Sequence, residues 1–317
     1  MDTTQPTTTL SACGRDHACS FCPVAPSCPL DKSDHDRALV RARLSRVGQV
    51  VVVLSNKGGV GKSTVSANLA AGLAARGLRV GVADADIHGP NQSRFFGLVG
   101  ARVRLSAAGL ETRTFAADGI AHPLRVGSLA FLMEDDATPI VWRDSYKHDF
   151  IHHLLGSFDW GDLDALVVDM PPGTGNEMIT LCDVLDDGGP PAAAVLVTTP
   201  QAVAQMDSLK AARVCAERAL PIIGAVENMA GVVCPHCSGS FHVFPDAGLD
   251  AALAVEGVGK IAAIPLAPEL AIGSDSGRPA VLDHPDGAVA RAFAPLIEAV
   301  AGWAADDPAA AVAGGAR

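Results

Sequence analysis

Short, wholly apolar runs alternate along the chain with longer alanine-rich stretches. VVVLS (51–55) is one such run, and LRVGVADAD (78–86), ALVVD (165–169), AAAVLVTT (192–199), PIIGAVEN (221–228) and IAAIP (261–265) are of the same kind. Strands covered by helices on both faces have this continuous apolar character. The stretch from Lys62 to Arg76 predicts an alanine-rich helix closed by Gly77. Further helices are predicted over 138–155, 203–218 and near 286–302, and weak alternation over 102–127 predicts a hairpin. Strand–helix alternation of this sort implies an α/β fold with a doubly wound, mostly parallel sheet.

The flanks break the pattern. Residues 1–30 have no periodicity and carry Cys13, Cys19, Cys22 and Cys28 among Pro, Ser and Ala, so something other than a core must order them. The charged stretch DKSDHDRALVRARLSR predicts a linking helix within 31–48. The globular domain is expected over 49–303, and 304–317 is a low-complexity tail expected to be disordered.

Composition narrows the function. Of 317 residues 49% are hydrophobic and only 4% aromatic, which suits a sheet between close-packed helices. With 24 basic and 35 acidic residues the formal net charge is -11, which disfavours nucleic acid as a partner. No apolar run approaches the roughly 20 residues of a membrane span. The first residues have neither a basic start nor an apolar core, so no secretory signal is read there and the cytoplasm is the expected location. The eight cysteines are then thiols or metal ligands rather than disulfides.

Lys57-Gly58-Gly59-Val60-Gly61-Lys62-Ser63-Thr64 follows a predicted strand and opens a predicted helix, the setting of a phosphate-binding P-loop. Its glycines let successive backbone N–H groups converge on phosphate oxygens, and the helix presents its positive end to the same anion. Lys62 is placed to neutralise the β and γ phosphates of ATP, and Ser63 to hold Mg²⁺ through its hydroxyl. Asp84 and Asp86 end the second strand, on the ligand-binding edge of an open sheet. Asp169 ends another strand before MPPGTGNE; a carboxylate there can bind Mg²⁺ through water, and the turn can sense the γ phosphate.

The extra lysine at the head of the loop, Lys57, resembles the deviant P-loop of the SIMIBI class, which includes MinD, ParA and the nitrogenase iron protein. The resemblance implies a homodimer in which Lys57 reaches the partner's ATP. It also implies that Asp86 orients the attacking water and that Asp84 and Asp169 assist Mg²⁺. An added cation at the transferring phosphate fits catalysis by positioning and charge neutralisation.

Cys234-Pro235-His236-Cys237 follows the last long strand. Two thiolates leave one metal centre half-coordinated. His236 and His242 would complete a zinc site within one chain, whereas a second chain would complete a 4Fe–4S cluster; spacing leaves both open. The ordered set KGGVGKST, DADIHGPNQ, VVDMPPGTGNE, ENM and CPHC, across roughly residues 49–302, is similar to the Mrp-type (ApbC) iron–sulfur carrier family. That resemblance implies a 4Fe–4S cluster bridged by Cys234 and Cys237 of each chain, contact of Asn228 with adenine, slow ATP hydrolysis, and transfer of the cluster to apo iron–sulfur proteins. Cys13, Cys19, Cys22 and Cys28 resemble the ferredoxin-like N-terminus of the cytosolic nucleotide-binding scaffold proteins, which implies a second 4Fe–4S site. The gap before Cys19 is shorter than in that relative; His17 is an alternative ligand to Cys13, and a zinc knot is the alternative occupant.

Trp142-Arg143-Asp144-Ser145 departs from the family's W-R-G-P segment, and Asn176 stands where its aspartate follows PPGTG. Cys182 and Cys215 fall on apolar helical faces and are expected in the core. The rival function is a MinD- or ParA-like positioning ATPase with a structural zinc site. Its membrane form needs a basic amphipathic C-terminal helix, and 287–303 has one Arg and an internal Pro295. Its DNA-binding form needs a basic surface. An electron donor like the nitrogenase iron protein has cluster ligands that are not arranged as CPHC.

Overall fold

The computed structural model describes residues 10, 13–15, 18–19, 22–87, 89–132, 144–233, 237, 239–245 and 248–303. Its strands are β1 (Val47–Leu54), β2 (Val80–Asp84), β3 (Leu105–Ser106), β4 (Gly109–Glu111), β5 (Arg113–Phe115), β6 (Leu124–Ser128), β7 (Phe158–Asp159), β8 (Leu163–Asp169), β9 (Ala192–Thr198), β10 (Ile222–Asn228), β11 (Val232–Val233), β12 (Ser240–Phe241) and β13 (Lys260–Ile264). Eight of them form one sheet in the order β13-β10-β9-β1-β8-β2-β6-β5. Every pair in it is parallel except the edge pair β5–β6. This is the doubly wound α/β architecture the apolar runs predict. The weakly alternating stretch 102–127 supplies the β3–β4 hairpin and the antiparallel edge strand.

Alternate residues of each central strand feed two separate cores, as the pleat requires. Val50, Val52 and Leu54 of β1 face one, together with Leu166 and Val168 of β8. Val51 and Val53 face the other with Ala165 and Val167. The first core is covered by helices Lys32–Leu44, Asp144–Ser157, Asn176–Asp186, Ala202–Glu217 and Leu249–Val255. The second is covered by Lys62–Ala75, Pro268–Ser276, Ala280–Asp283 and Ala288–Trp303. Helix Lys62–Ala75 is buried almost all round, because the sheet lies on one side and the C-terminal helix on the other. Its alanines and Gly72 permit that approach: a Cβ on Gly72 would collide with Ile297.

β1 begins at Val47 rather than Val51. Polar Gln49 interrupts the apolar pattern, but it is buried inside the ladder opposite Ala165, and its Nε2 donates to the Val300 carbonyl at 3.4 Å. The helix expected over 138–155 is described as Asp144–Ser157; 138–143, like the tail 304–317, lies outside the described residues. Cys182 and Cys215 are buried in the first core. Among the described residues no helix is long and apolar enough to cross a membrane.

The linking helix Lys32–Leu44 packs on helix Asp144–Ser157 and is tied to the domain by Arg43. Arg43 Nε donates to the Gly156 carbonyl at 3.3 Å, its Nη2 to the Ala108 carbonyl, and its Nη1 lies 3.5 Å from Asp159. Arg41 pairs with Asp187, just beyond helix Asn176–Asp186.

Phe293 of the C-terminal helix is fully buried against helix Lys62–Ala75. Phe293→Ala is expected to lower unfolding free energy in urea by about 3–5 kcal/mol, because the cavity cannot collapse between two helices and a sheet. A loss below ~1 kcal/mol would show that this layer is not load-sharing core.

Candidate functional site

The phosphate loop occupies the bend between β1 and helix Lys62–Ala75. Gly59 and Gly61 have φ of 80° and 85°, a region that L side chains rarely adopt. A Cβ on Gly61 would also collide with Asn228 Nδ2. Asn228, 5% exposed at the end of β10, donates from that nitrogen to the Val60 carbonyl at 2.8 Å, so its described contact is with the loop backbone. On the other side Gly173 N donates to the Ser55 carbonyl at 2.9 Å, which fastens the PPGTG turn to the start of the loop.

Sheet register brings the acidic residues together. Asp84 of β2 pairs with Asp169 of β8 on one side and with Ser128 of β6 on the other. Both carboxylates are buried, 1% and 0% exposed. Asp169 is saturated: Oδ1 accepts from Lys62 Nζ at 2.6 Å and from Ser66 Oγ at 3.0 Å, and Oδ2 accepts from Gln92 Nε2 at 2.8 Å. Asp84 Oδ2 accepts from Gln92 N and Ser128 Oγ, each at 3.0 Å. Its Oδ1 is buried without a partner among the described residues. Burial, and then the neighbouring Asp169 charge, push the Asp84 carboxyl up to about 8.

Lys62 Nζ also lies 3.4 Å from Ser63 Oγ. Lys57 is half-buried at the head of the loop and forms no ion pair among the described residues. Asp86 lies past the strand end, where its Oδ1 accepts from Gly89 N at 3.2 Å. Gly58 is exposed, Val60 buried, and Thr64 half-buried, with its carbonyl accepting from Asn68 Nδ2 at 2.9 Å. Asn176 is exposed at the first turn of its helix.

The donor set fits ATP and Mg²⁺. Ser63, Asp84 and Asp169 offer only hard oxygen donors of the kind such an ion takes, and Asp84 Oδ1 is a desolvated oxygen without a partner among the described residues. Gln92, Ser66 and Ser128 complete this site. No spacing rule marks them in the sequence, although Gln92 closes the DADIHGPNQ segment.

Two cysteine segments lie apart from it in sequence. Cys13, Cys19, Cys22 and Cys28 line one cavity of about 190 Å³ together with His35. Cys19 Sγ lies 3.4 Å from His35 Nδ1, which lies 3.2 Å from Asp36 Oδ1; the same oxygen accepts from Cys19 N at 2.9 Å. Burial and Asp36 raise the Cys19 thiol to about 12, with Cys13 and Cys22 adding to the shift. Thiolate ligation there therefore calls for a cation to offset the local field. His35 is a further site neighbour, 1% exposed on a helix whose charge pattern conceals it. His17 lies outside the described residues, as do Cys234 and His236. Cys237 is exposed, and His242 Nδ1 lies 2.8 Å from the Ala230 carbonyl, which engages the ring nitrogen nearer the backbone. The segment Trp142–Arg143 is also outside the described residues.

A family model described as the NUBPL iron-transfer P-loop NTPase, of the ParA group, matches residues 46–301. An iron–sulfur cluster carrier protein of Methanocaldococcus jannaschii is 38% identical over 269 residues, covering 84% of this chain and 90% of the relative. A cytosolic Fe-S cluster assembly factor NUBP1 homolog of Caenorhabditis briggsae is 36% identical over 301 residues, covering 93% of this chain and 95% of the relative, so the likeness reaches into the N-terminal extension. The solved nucleotide-binding protein of Archaeoglobus fulgidus in complex with ADP superposes with a TM-score of 0.65 at 34% identity, covering 77% of this chain and 92% of that one.

The raised Asp84 carboxyl fixes a pH dependence. Between the ordinary value of 3.8 and about 8, the folded state holds a proton that the unfolded state has lost, so stability falls as pH rises through that window. In metal-free buffer, Asp84→Asn is expected to flatten the fall in melting temperature between pH 6 and 8. Parallel curves for the two proteins would contradict the raised value.

Proposed function

The chain belongs to the NUBPL-type iron-transfer P-loop NTPases, a nucleotide-hydrolysing family, and from that premise we propose that it is an ATP-dependent iron–sulfur cluster carrier. The observation that carries this is the gathering of Cys13, Cys19, Cys22 and Cys28 on one cavity, in a chain that also holds a P-loop braced by buried carboxylates. Four thiolates suffice for a 4Fe–4S cluster. Cys234 and Cys237 supply two more, so that two chains would share a second, labile cluster as cargo for apo iron–sulfur proteins. The names of the two relatives support this assignment. A cytoplasmic setting fits the reduced thiols.

At the nucleotide site, the N–H groups of Gly58, Gly59, Val60, Gly61, Lys62, Ser63 and Thr64 would wrap the phosphates. Lys62 would exchange Asp169 for the β and γ phosphates, a motion of one flexible ammonium. Ser63, Asp84 and Asp169 would hold Mg²⁺. That ion would supply positive charge against the negative charge that develops on the transferring phosphate. Asp86 would orient the attacking water, and Asn228 would meet adenine while keeping the loop in shape. Lys57, at the head of the loop, would reach the ATP of a partner chain in a homodimer. ATP would then stabilise one dimer geometry, and hydrolysis would change how the shared cluster is exposed.

The positioning-ATPase alternative is disfavoured by the C-terminal helix Ala288–Trp303. It buries Val289, Phe293, Leu296, Ile297 and Val300 in the second core and so has no apolar face left for a membrane.

Two measurements test the assignment. After anaerobic reconstitution, the double variant Cys234→Ser, Cys237→Ser is expected to retain about two thirds of the iron and sulfide, held by the N-terminal cysteines, because a dimer would carry two N-terminal clusters and one shared one. One zinc per chain with no sulfide would overturn the carrier function while leaving the ATPase intact. Lys57→Ala is expected to bind ATP normally yet hydrolyse it roughly 100-fold more slowly, since a lost cation at the transferring phosphate acts on the transition state. An unchanged rate would remove Lys57 from catalysis.

A further inference from the structure

Gln92 is wholly buried at the start of helix Gln92–Phe95, and both its backbone N–H and its side-chain amide nitrogen donate to the carboxylate pair. Its backbone N–H donates to Asp84 Oδ2 at 3.0 Å. Its side-chain Nε2 donates to Asp169 Oδ2 at 2.8 Å and to the Ser63 carbonyl at 3.1 Å. Those two acceptors fix the amide's orientation, because the reversed amide would set its oxygen against two other oxygens. Gln92 Oε1 is consequently left buried without a partner among the described residues, as is Asp84 Oδ1.

Two orphaned side-chain oxygens on residues joined by a hydrogen bond are unusual, since buried polar atoms are nearly always paired. Packing alone would be served as well by an apolar side chain of the same length. Magnesium retains several of its waters when bound by proteins, and those waters are hydrogen-bond donors. The loop carrying Asp86 is also anchored at both ends to the same pair: Ala85 N donates to the Asp169 carbonyl at 2.9 Å, and Gln92 closes the other end.

We propose that Gln92 is a positioning residue for Mg²⁺: it locks Ser63, Asp84 and Asp169 into one frame and offers Oε1 to a water carried by the cation. The same contacts make the loop of Asp86 answer to the state of the metal site. This rests on the nucleotide site alone and not on the cysteines.

Gln92→Met tests it in the full-length protein. Methionine keeps the length and the backbone N–H, loses both side-chain donors and removes the orphaned amide oxygen; the lost bond to Asp169 is expected to lower the melting temperature, so a folded variant is confirmed by far-UV circular dichroism before titration. Mn²⁺ is titrated by electron paramagnetic resonance in the presence of a non-hydrolysable ATP analogue. Its dissociation constant is expected to rise at least about 10-fold, as for lost outer-shell metal partners. Affinity for the analogue without metal should be unchanged. If the Met variant does not fold, Gln92→Asn, which keeps an amide on a shorter stem, should weaken Mn²⁺ in the same selective way. Unchanged Mn²⁺ affinity in the folded variant overturns the proposal. An equal loss of metal-free analogue affinity also overturns it, because it marks Gln92 as a general packing residue.

Discussion

The contact on which most of the nucleotide site depends is the buried pair of Lys62 and Asp169, 2.6 Å apart and 6% and 0% exposed. Charges so placed are tolerable only with close geometry and further hydrogen bonds. Ser66 and Gln92 supply those bonds to the carboxylate. The pair exists because β1 and β8 are parallel neighbours, with Val53 opposite Asp169, so the loop leaving β1 passes over the end of β8. The next strand, β2, sets Asp84 beside Asp169 at the same level. Two acids then share one lysine, and the result is one carboxylate saturated by donors and the other holding a proton to unusually high pH.

The N-terminal extension is joined to this machinery through a continuous series of packed elements. His35 and Asp36 hold Cys19 at the start of helix Lys32–Leu44. Val40 of that helix meets Gly156, where a Cβ would crowd it at 2.9 Å, and Arg43 crosses to the same carbonyl. Arg41 reaches Asp187 at the far end of the helix that begins just after the PPGTG turn. That turn is in turn bonded to the phosphate loop through Gly173 and Ser55. The cysteine cavity therefore belongs to an extension docked on the P-loop fold, and its position is set by charged contacts as much as by apolar packing.

Much of the fold was legible because its signals are local. Apolar runs mark the central strands, and Gly58 to Thr64 mark the loop within a few residues of one another. Asp84 and Asp169 were legible as strand ends, but their side-by-side placement is a matter of register, which periodicity does not encode. Gln49 misled the strand boundary because a polar residue inside a ladder can be satisfied by a distant carbonyl, here that of Val300. Gln92 and His35 stayed hidden for a related reason. Each is a single polar residue in a short or charged segment, and its burial arises from elements far away in sequence. The four N-terminal cysteines were legible from density alone, and the cavity they share with His35 includes Cys13, whose spacing to Cys19 departs from the relative's.

In the carrier function proposed above, nucleotide state governs the release of an iron–sulfur cluster. Its most direct test is the rate at which the anaerobically reconstituted protein passes its cluster to an apo-ferredoxin-type acceptor, followed by circular dichroism with MgATP, with MgADP and without nucleotide. Rates are expected to differ between MgATP and MgADP in the native protein and to converge in a Lys62→Ala variant. Equal rates in all three conditions for the native protein would contradict it.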